Sequence, residues 1–344
     1  MMENFEEYLR QGEPDRSTKA QQWQIAIGLQ QVDGLQTSEY LISTAKQNIE
    51  GKLNLTQVKQ LLNEYYQQQP VQKEDSRTEE ADKVSARVAE ILQETSFSFS
   101  PAEYLSIHRR LFKDIYPFAG VVRDYNITKK EWVLNGETVL YGSAKSLMAT
   151  LEYDFEQEKK FNYQDLSIAE SIAHLAHFTA YLWQIHLFGE GNTRTTAVFL
   201  IKYLRNLGFK QVNNTLFAEH SWYFRNALVR ANYQDLSQGI HKSLKYLVAF
   251  LENLLLGKNH LLQNRKLHIN YTDTLNDSVN PRYNTVLSLI KDNNRISAAE
   301  ISQQLGLSLS TVERKTKALT DQGWIHRIGS DKTGHWHIVE GRES

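Results

Sequence analysis

The chain has 344 residues, of which 41% are hydrophobic and 23% are charged, and its formal net charge at pH 7 is -1. This length exceeds one average core and predicts two or three domains, while the near-neutral charge excludes a globally basic nucleic-acid binder. The absence of cysteine excludes disulfides and thiolate chemistry.

The N-terminus and the apolar runs predict a soluble protein of the cytoplasm. Residues 1–7 are acidic and lack the basic and apolar regions of a signal peptide. No apolar run approaches the length of a membrane span, so we expect no membrane partner.

The five prolines indicate the domain organisation. None occurs between residues 118 and 280, which is typical of a helical bundle, and Pro70 and Pro281 lie in polar stretches that predict boundaries. We expect an N-terminal helical region at 1–75, a main domain at 76–260, a linker at 261–280 and a C-terminal domain at 281–344.

The first two thirds of the chain read mainly as helices. Short helices fill residues 1–70, with Glu50-Gly51 ending one of them, and capping residues Ser76 and Glu79 start the next long helix. Pro101 opens another helix. Residues 126–141 predict a β-hairpin, because Asn135-Gly136 is a strong type I′ turn signal between strand-forming residues.

A tight loop between two helices carries the residues with the most chemistry. Ser167 and Glu170 form a capping box for a helix that delivers His186 at its C-terminal end, and a second helix runs from the loop to Gly208. We call residues 186–192 the signature loop. Because the loop ends at a helix N-terminus, its free N–H groups and the helix dipole predict an anion site.

The side chains of this loop indicate one kind of chemistry. His186 can take a proton from a hydroxyl near neutral pH, Glu190 can hold magnesium, and Gly191-Asn192 can form a nest around a phosphate that Arg194 also contacts. This set fits in-line transfer of a phosphate-containing group to a hydroxyl.

Residues 186–197 resemble the signature of the Fic family, His-Pro-Phe-x-(Asp/Glu)-Gly-Asn-Gly-Arg-x-x-Arg, whose members mostly transfer AMP from ATP to a protein hydroxyl. The matching residues are His186, Phe188, Glu190, Gly191, Asn192 and Arg194. The resemblance implies that His186 is the general base, that Glu190 holds Mg²⁺, and that Gly191, Asn192, Thr193 and Arg194 contact the nucleotide.

Three positions depart from this signature. Leu187 replaces proline, Thr193 replaces glycine, and Ala197 replaces the second arginine, which grips the γ-phosphate in the family. Doc-type relatives, which transfer a phosphoryl group, also depart at the last two positions. Phosphoryl transfer is therefore an alternative to AMP transfer.

The resemblance implies further site residues outside the loop. Thr128, Lys129 and Lys130 lie where a flap meets the nucleotide, although a solvated turn explains the lysines equally well, and Asn232 and Tyr223 approach the adenosine. Glu50 matches the glutamate of an inhibitory segment. Its usual arginine partner is Ala197 here, so Arg194 and Asn192 are the remaining candidates, and Glu50 as a mere helix end is the alternative.

Residues 281–344 predict three helices followed by a hairpin. Ser297 with Glu300 caps the second helix and Ser310 with Glu313 caps the third, and residues 323–328 and 336–339 form strands joined by a turn at 331–334.

This C-terminal domain resembles a winged helix-turn-helix. Its candidate DNA contacts are Thr311, Arg314, Lys315 and Lys317 on the third helix and Lys332 in the wing. Residues 281–344 contain nine Lys and Arg against seven Asp and Glu, a small surplus that leaves protein docking as an equal alternative.

Together these patterns predict an all-α fold. It consists of a Fic-domain helical bundle at 76–260 with a β-hairpin flap, an N-terminal inhibitory-like helical region and a C-terminal winged helix-turn-helix. The predicted function is magnesium-dependent transfer of AMP from ATP to a Ser, Thr or Tyr hydroxyl of a target protein. A DNA-binding regulator with an altered Fic domain is the rival, and the sequence leaves a monomer and a homodimer both open.

Overall fold

A computed structural model describes residues 5–11, 14–68, 75–209, 212, 215–271, 286–287, 289–291, 293–305, 308–321, 325–328 and 334–338. This part of the chain is mainly helical, which confirms the predicted all-α class. The helices are α1 Glu6–Gln11, α2 Pro14–Gly28, α3 Glu39–Ile49, α4 Leu55–Gln68, α5 Asp75–Gln93, α6 Pro101–Phe112, α7 Leu147–Lys160, α8 Ile168–Ile185, α9 Asn192–Asn206, α10 Leu216–Glu219, α11 Ser221–Asn232, α12 Lys245–Leu256, α13 Ala298–Leu305 and α14 Leu309–Asp321.

The chain divides into two compact units, Met1–Tyr271 and Thr272–Ser344. The first unit has one continuous hydrophobic core, whose fully buried large side chains include Trp23, Trp183, Phe155, Phe199 and Phe250. The second unit has its own smaller core. None of the described helices is long and apolar enough to cross a membrane.

The N-terminal helices share the core of the first unit. Trp23 and Ile25 on α2 are fully buried, and the Trp23 indole donates a 2.9 Å hydrogen bond to Asn48 on α3. The Ser85 hydroxyl on α5 donates to the Ala26 carbonyl of α2 at 3.3 Å. Each large apolar side chain buried in this way contributes about 1.5–3 kcal/mol, so α2 is held firmly against α5.

The α8–α9 pair carries the signature loop as the sequence predicts. Ser167 and Glu170 form the predicted capping box at the start of α8. At its other end His186 adopts the left-handed conformation, φ 52°, which stops the helix. Gly191 is the N-cap of α9 and has no side chain with which to satisfy the first N–H groups of that helix.

The predicted flap hairpin differs from the observed segment. Residues 126–141 hold a short 3-10 turn, Trp132–Leu134, instead of two strands, although Asn135 and Gly136 have the positive φ expected of the type I′ turn. Val133 and Leu134 are fully buried, and the Val133 carbonyl accepts a 2.8 Å bond from the amide of Ile269. Because the Val133 carbonyl is bonded to Ile269, it is not available for the hydrogen bonds between two strands of a hairpin.

The second unit contains the predicted helices and the predicted strands of the wing. Strands β1 Ile325–Ile328 and β2 His335–Ile338 pair antiparallel, with Ile325 opposite Ile338. Ser297 and Glu300 cap α13 as predicted, whereas Ser308 rather than Ser310 caps α14 by accepting from the Thr311 amide at 3.3 Å. Most of the predicted turn at 331–334 lies outside the described residues.

Candidate active site

The signature loop is a tightly packed bend that depends on Gly191. Gly191 has φ +78°, and a Cβ added there would lie 2.4 Å from the ring of Phe112. A Cβ on Gly189 would lie 2.7 Å from the Tyr125 hydroxyl. The Tyr125 hydroxyl is the end of an exposed side chain and can move aside, whereas Gly191 requires glycine both for its backbone conformation and for space beside the buried Phe112 ring.

The imidazole of His186 is buried, with only 4% of the residue exposed. Its ring lies 4.1 Å from that of Tyr141 and 5.4 Å from that of Trp183, and neither ring nitrogen has a hydrogen-bond partner among the described residues. Burial, followed by the charges of Lys129 and Arg123, lowers the pKa of His186 well below its usual 6.5. The ring is therefore neutral near pH 7 and can accept a proton.

Tyr141, which covers one face of His186, is fixed from behind by a buried acid. Its hydroxyl donates to Glu131 at 3.2 Å, and the Glu131 carboxylate forms an ion pair with Arg225 at 2.9 Å. Burial raises the pKa of Glu131, while Arg225 opposes this shift. The position of the covering ring is thus tied to α11.

Arg123 holds the backbone at the start of the loop. Its guanidinium donates to the carbonyls of His186 at 2.7 Å and Gly142 at 2.6 Å, and also to that of Tyr125. The Arg123 amide donates to the Leu187 carbonyl at 3.0 Å. These bonds fix the left-handed turn at His186 and join it to the flap segment.

The side chains of Asn192 and Thr193 face the protein interior. Asn192 accepts from the Phe188 amide at 3.0 Å and donates to the Phe188 carbonyl at 2.7 Å, which closes the loop on itself. The Thr193 hydroxyl accepts from the Trp183 indole at 3.0 Å. Any contact of these two residues with a phosphate would therefore use their backbone N–H groups.

Glu190 is the loop residue with an accessible carboxylate. Its side chain is 53% exposed and lies 2.8 Å from the ammonium of Lys129, which reaches it from the flap segment. Mg²⁺ commonly binds proteins through one or two carboxylates, completing its shell with substrate phosphates and water. An exposed carboxylate that already attracts a cation fits this role.

An open cavity of about 620 Å³ lies beside Glu190. We call it the Glu190 cavity, and its lining residues are Val32, Asp33, Gly34, Arg77, Glu80, Tyr116, Lys130, Glu190, Arg194, Trp222 and Arg225. Exposed Arg77 and Lys130 supply positive charge, and Trp222 supplies an aromatic surface. A phosphate ester with a planar base is compatible with this lining. His186 is not among the lining residues.

Arg194 is sealed by contacts that we call the Arg194 cluster. The residue is only 1% exposed, and its guanidinium forms ion pairs with Glu80 at 2.6 Å and with Asp33 at 2.8 Å. The Asp33 contact is an ion pair without a hydrogen bond, because the Nε–H of Arg194 does not point at the carboxylate oxygen. It also donates to Gln30 at 2.9 Å and to the Tyr116 hydroxyl at 3.4 Å. Although burial opposes it, the charges of Asp33, Tyr116 and Glu80 raise the pKa of Arg194.

The structure does not bring Glu50 into this cluster. Glu50 lies at the C-terminal end of α3 and accepts from the Tyr8 hydroxyl at 2.5 Å, and it forms an ion pair with Lys52 at 2.6 Å. Gly51 beside it has φ +80°. This placement agrees with the alternative in which Glu50-Gly51 ends a helix, while Asp33 and Glu80 are the acids on Arg194.

The other predicted nucleotide contacts divide into two groups. Thr128 and Lys130 are exposed, and Lys130 lines the Glu190 cavity. Asn232 and Tyr223 are 3% exposed, and their side chains bond to carbonyls of the core: Asn232 to Ala180 at 2.9 Å and Tyr223 to Tyr246 at 3.4 Å. The residues of α11 that line the cavity are Trp222 and Arg225.

Sequence reasoning missed Asp33, Glu80, Trp222 and Arg225. A signal existed for Trp222 alone, because a tryptophan next to the predicted Tyr223 is a better stacking surface than a core tyrosine. Asp33 and Glu80 carry no local motif. Gln30, their neighbour on Arg194, is separated from it by 164 residues, so only the tertiary fold brings these residues together.

In the second unit, the described candidates for DNA contact lie on α14. Arg314 and Lys317 are exposed, and Thr311 and Lys315 are half-buried. Lys332 lies outside the described residues. Arg327 on β1 packs over Trp336 on β2, with its guanidinium 4.9 Å from the ring centroid.

Comparisons with known proteins found two family matches. Residues 98–204 match the model of the Fic/DOC family, and residues 285–326 match a winged helix-turn-helix DNA-binding family. Both matches fall on the segments from which the two resemblances were drawn. A comparison with curated proteins found no match.

The solved structures that are similar to this chain include two Fic proteins. One is the N-terminal FIC domain of Bep8, a VirB-translocated effector protein of Bartonella sp. 1-1C, at 18% identity and TM-score 0.42, covering 56% of this chain and 91% of that one. The other is a Fic family protein of Desulfovibrio desulfuricans G20 at 14% identity and TM-score 0.45, covering 98% and 93%.

Proposed function

Because this chain is a Fic family protein with a C-terminal winged helix-turn-helix, we propose that it is a protein adenylyltransferase. It transfers AMP from ATP to a Ser, Thr or Tyr hydroxyl of a target protein. The observation that carries the proposal is the exposed Glu190 carboxylate just before α9, which lines an open cavity together with Lys130 of the flap segment.

In the proposed reaction His186 takes the proton of the target hydroxyl. The hydroxyl oxygen forms a bond to the α-phosphorus of ATP, the bond from that phosphorus to the bridging oxygen breaks, and pyrophosphate leaves. Support comes from the neutral state of His186 and from its two ring nitrogens, which have no partner among the described residues.

The phosphates are held at the N-terminus of α9. The first-turn N–H groups, the helix dipole and the cations Lys130 and Arg77 favour an anion there. Glu190 is the residue that would hold Mg²⁺, and the ion would supply charge neutralisation when bound. Lys129 gives up its ion pair with Glu190, which costs little because the Glu190 side chain is 53% exposed.

A second candidate is a DNA-binding regulator whose Fic domain is catalytically silent. Two observations favour it: the Arg194 cluster leaves that arginine 1% exposed, and Ala197 occupies the position of the second signature arginine. The winged helix-turn-helix match and the exposed Arg314 and Lys317 on α14 support the DNA contact.

Labelled nucleotides separate these functions. The full-length protein and the His186→Ala variant are incubated with Mg²⁺, a cell lysate and ATP, CTP or GTP labelled on the α- or γ-phosphate. Protein-bound α-label that requires His186 supports AMP transfer, and γ-label supports Doc-like phosphoryl transfer. If no nucleotide labels any protein, both transfer reactions are refuted and the DNA-binding regulator with a catalytically silent Fic domain is favoured.

A mobility-shift assay tests the DNA contact separately. We expect a shift of genomic DNA fragments that weakens with rising salt and is lost in Arg314→Ala, because phosphate contacts depend on salt. Glu300→Gln on α13 is the control, and it should leave the shift unchanged. Absence of a shift at low salt would leave α14 a protein-docking helix.

A further inference from the structure

His108 on α6 is a fully buried histidine that the proposed chemistry does not use. Both of its ring nitrogens have backbone partners. The Gly120 amide lies 2.8 Å from Nδ1, and the Glu190 carbonyl lies 3.0 Å from Nε2. The His108 side chain thus links Gly120, in the segment that precedes the flap segment, to Glu190 in the signature loop.

These two contacts fix the tautomer of His108. The Gly120 amide can only donate, so Nδ1 is the acceptor and carries no proton. The Glu190 carbonyl can only accept, so the single ring proton is on Nε2. The imidazole is therefore neutral and satisfied at both nitrogens, which is the arrangement that a buried polar ring requires.

Packing fixes the plane of the ring as well. The imidazole stacks on Phe188 of the signature loop with 3.6 Å between ring centroids and 12° between planes. Its other neighbour is Phe112, at 4.7 Å, the ring that excludes a side chain from Gly191. Packing against Phe188 and Phe112 therefore holds the ring with its Nε2–H directed at the signature loop.

The carbonyl that His108 holds belongs to the peptide between Glu190 and Gly191. Because a peptide unit is planar, fixing this carbonyl also fixes the direction of the Gly191 amide and restricts the backbone that carries the Glu190 side chain. The next residue, Gly191, is the N-cap of α9. One hydrogen bond therefore orients both the carboxylate and the first turn of the helix.

We propose that His108 is a positioning residue, which acts through the Glu190–Gly191 peptide to hold the Glu190 carboxylate and the N-terminus of α9 toward the Glu190 cavity. The effect on transfer rests on the proposed function. The effect on loop geometry does not, because it concerns contacts within the chain.

The substitutions that test this role differ in hydrogen bonding. In His108→Gln the amide oxygen can accept from Gly120 and the amide nitrogen can donate to Glu190, because the two amide atoms are spaced like the two ring nitrogens. In His108→Phe the stack on Phe188 remains and both hydrogen bonds are lost. His177→Phe, at an exposed histidine of α8, is the control.

We expect His108→Phe to lower α-label incorporation at least tenfold, because small displacements of positioned groups cost that much or more. His108→Gln should stay within about threefold of wild type, on the same principle. Hydrogen exchange at residues 186–192 should be faster in His108→Phe alone. Equal impairment of His108→Gln and His108→Phe, or wild-type behaviour of His108→Phe, overturns the proposal.

A spectroscopic measurement keeps the inference independent of activity. Nitrogen NMR of the ¹⁵N-histidine-labelled wild type, with His108 assigned by its absence in His108→Gln, should show a neutral ring protonated at Nε2. A proton on Nδ1 overturns the proposal. If the wild type transfers no label, the proposed function fails, and the tautomer and loop exchange still decide the role of His108.

Discussion

Replacing Arg194 by methionine tests whether this signature arginine stabilises the fold. In the observed structure its guanidinium is buried against Glu80 and Asp33, which lie more than 100 residues before Arg194 in the sequence. Met keeps contact with Phe112, whose ring lies 4.8 Å from the guanidinium carbon. The substitution therefore removes the charge and its hydrogen bonds while retaining much of the apolar volume.

The expected cost follows from which acids lose their partner. Glu80 is 9% exposed and retains a 2.6 Å bond from Tyr116, whereas Asp33 is 23% exposed and can turn toward water. Removing one member of a buried ion pair typically costs about 3–5 kcal/mol, and we expect about 3 kcal/mol because both acids are partly compensated.

The assay is urea unfolding followed by tryptophan fluorescence and circular dichroism. A loss of about 3 kcal/mol lowers the transition midpoint by roughly 1 M urea, because m in urea is about 3 kcal/mol/M at the upper end of its range for small proteins and rises with size. Arg110→Met is the matched control, because Arg110 pairs with Glu94 where both side chains are 35% exposed, and such surface pairs contribute about 0–1 kcal/mol. Equal midpoints for Arg194→Met and Arg110→Met would refute the structural role of Arg194.

Three further predictions concern the loop, the general base and the N-terminal region. Gly191→Ala should destabilise the protein by about 2 kcal/mol more than Gly51→Ala in urea unfolding, because both have positive φ but only Gly191 has a ring 2.4 Å from the new Cβ; equal losses would contradict the packing reason. The rate of label incorporation should not change with His186 protonation above pH 6.5 and should fall at lower pH, because only the neutral ring accepts a proton. Lys129→Met removes a positive neighbour, so it should raise the pKa of His186 and move this fall in rate to higher pH. A fall that stays at the same pH in Lys129→Met would exclude His186 as its source. Glu50→Gly, which the inhibitory resemblance predicts to raise AMP incorporation, should leave it unchanged because Glu50 contacts Tyr8 and Lys52, and an increase would restore the inhibitory role.

Local signals in the sequence were sufficient for the helices around the site. The capping box of Ser167 and Glu170, the helix start at Pro101 and the strands of the wing all appear where their patterns place them. These features depend on residues within a few positions of one another, where capping and periodicity act.

The partners of the site residues could not be predicted in this way. The acids on Arg194 come from a 3-10 turn and from α5, and the flap strands are replaced by a turn that is anchored on Ile269. Both outcomes depend on packing between distant segments, which overrides local propensity. The placement of Trp222, rather than Tyr223, on the cavity likewise depends on how α11 is rotated in the core.

The packing of the N-terminal helices on the rest of the first unit also determines what happens if the chain is split between them. Fragments 1–68 and 75–344 would each expose apolar surface that the other covers, since Trp23 and Ile25 are fully buried and the Ala26 carbonyl accepts from Ser85. Co-expressed as separate polypeptides, the two fragments should reassemble, and the salt link from Arg194 to Asp33 would then be intermolecular. Residues 1–68 would then behave as a separate subunit that binds the rest of the chain without a covalent link.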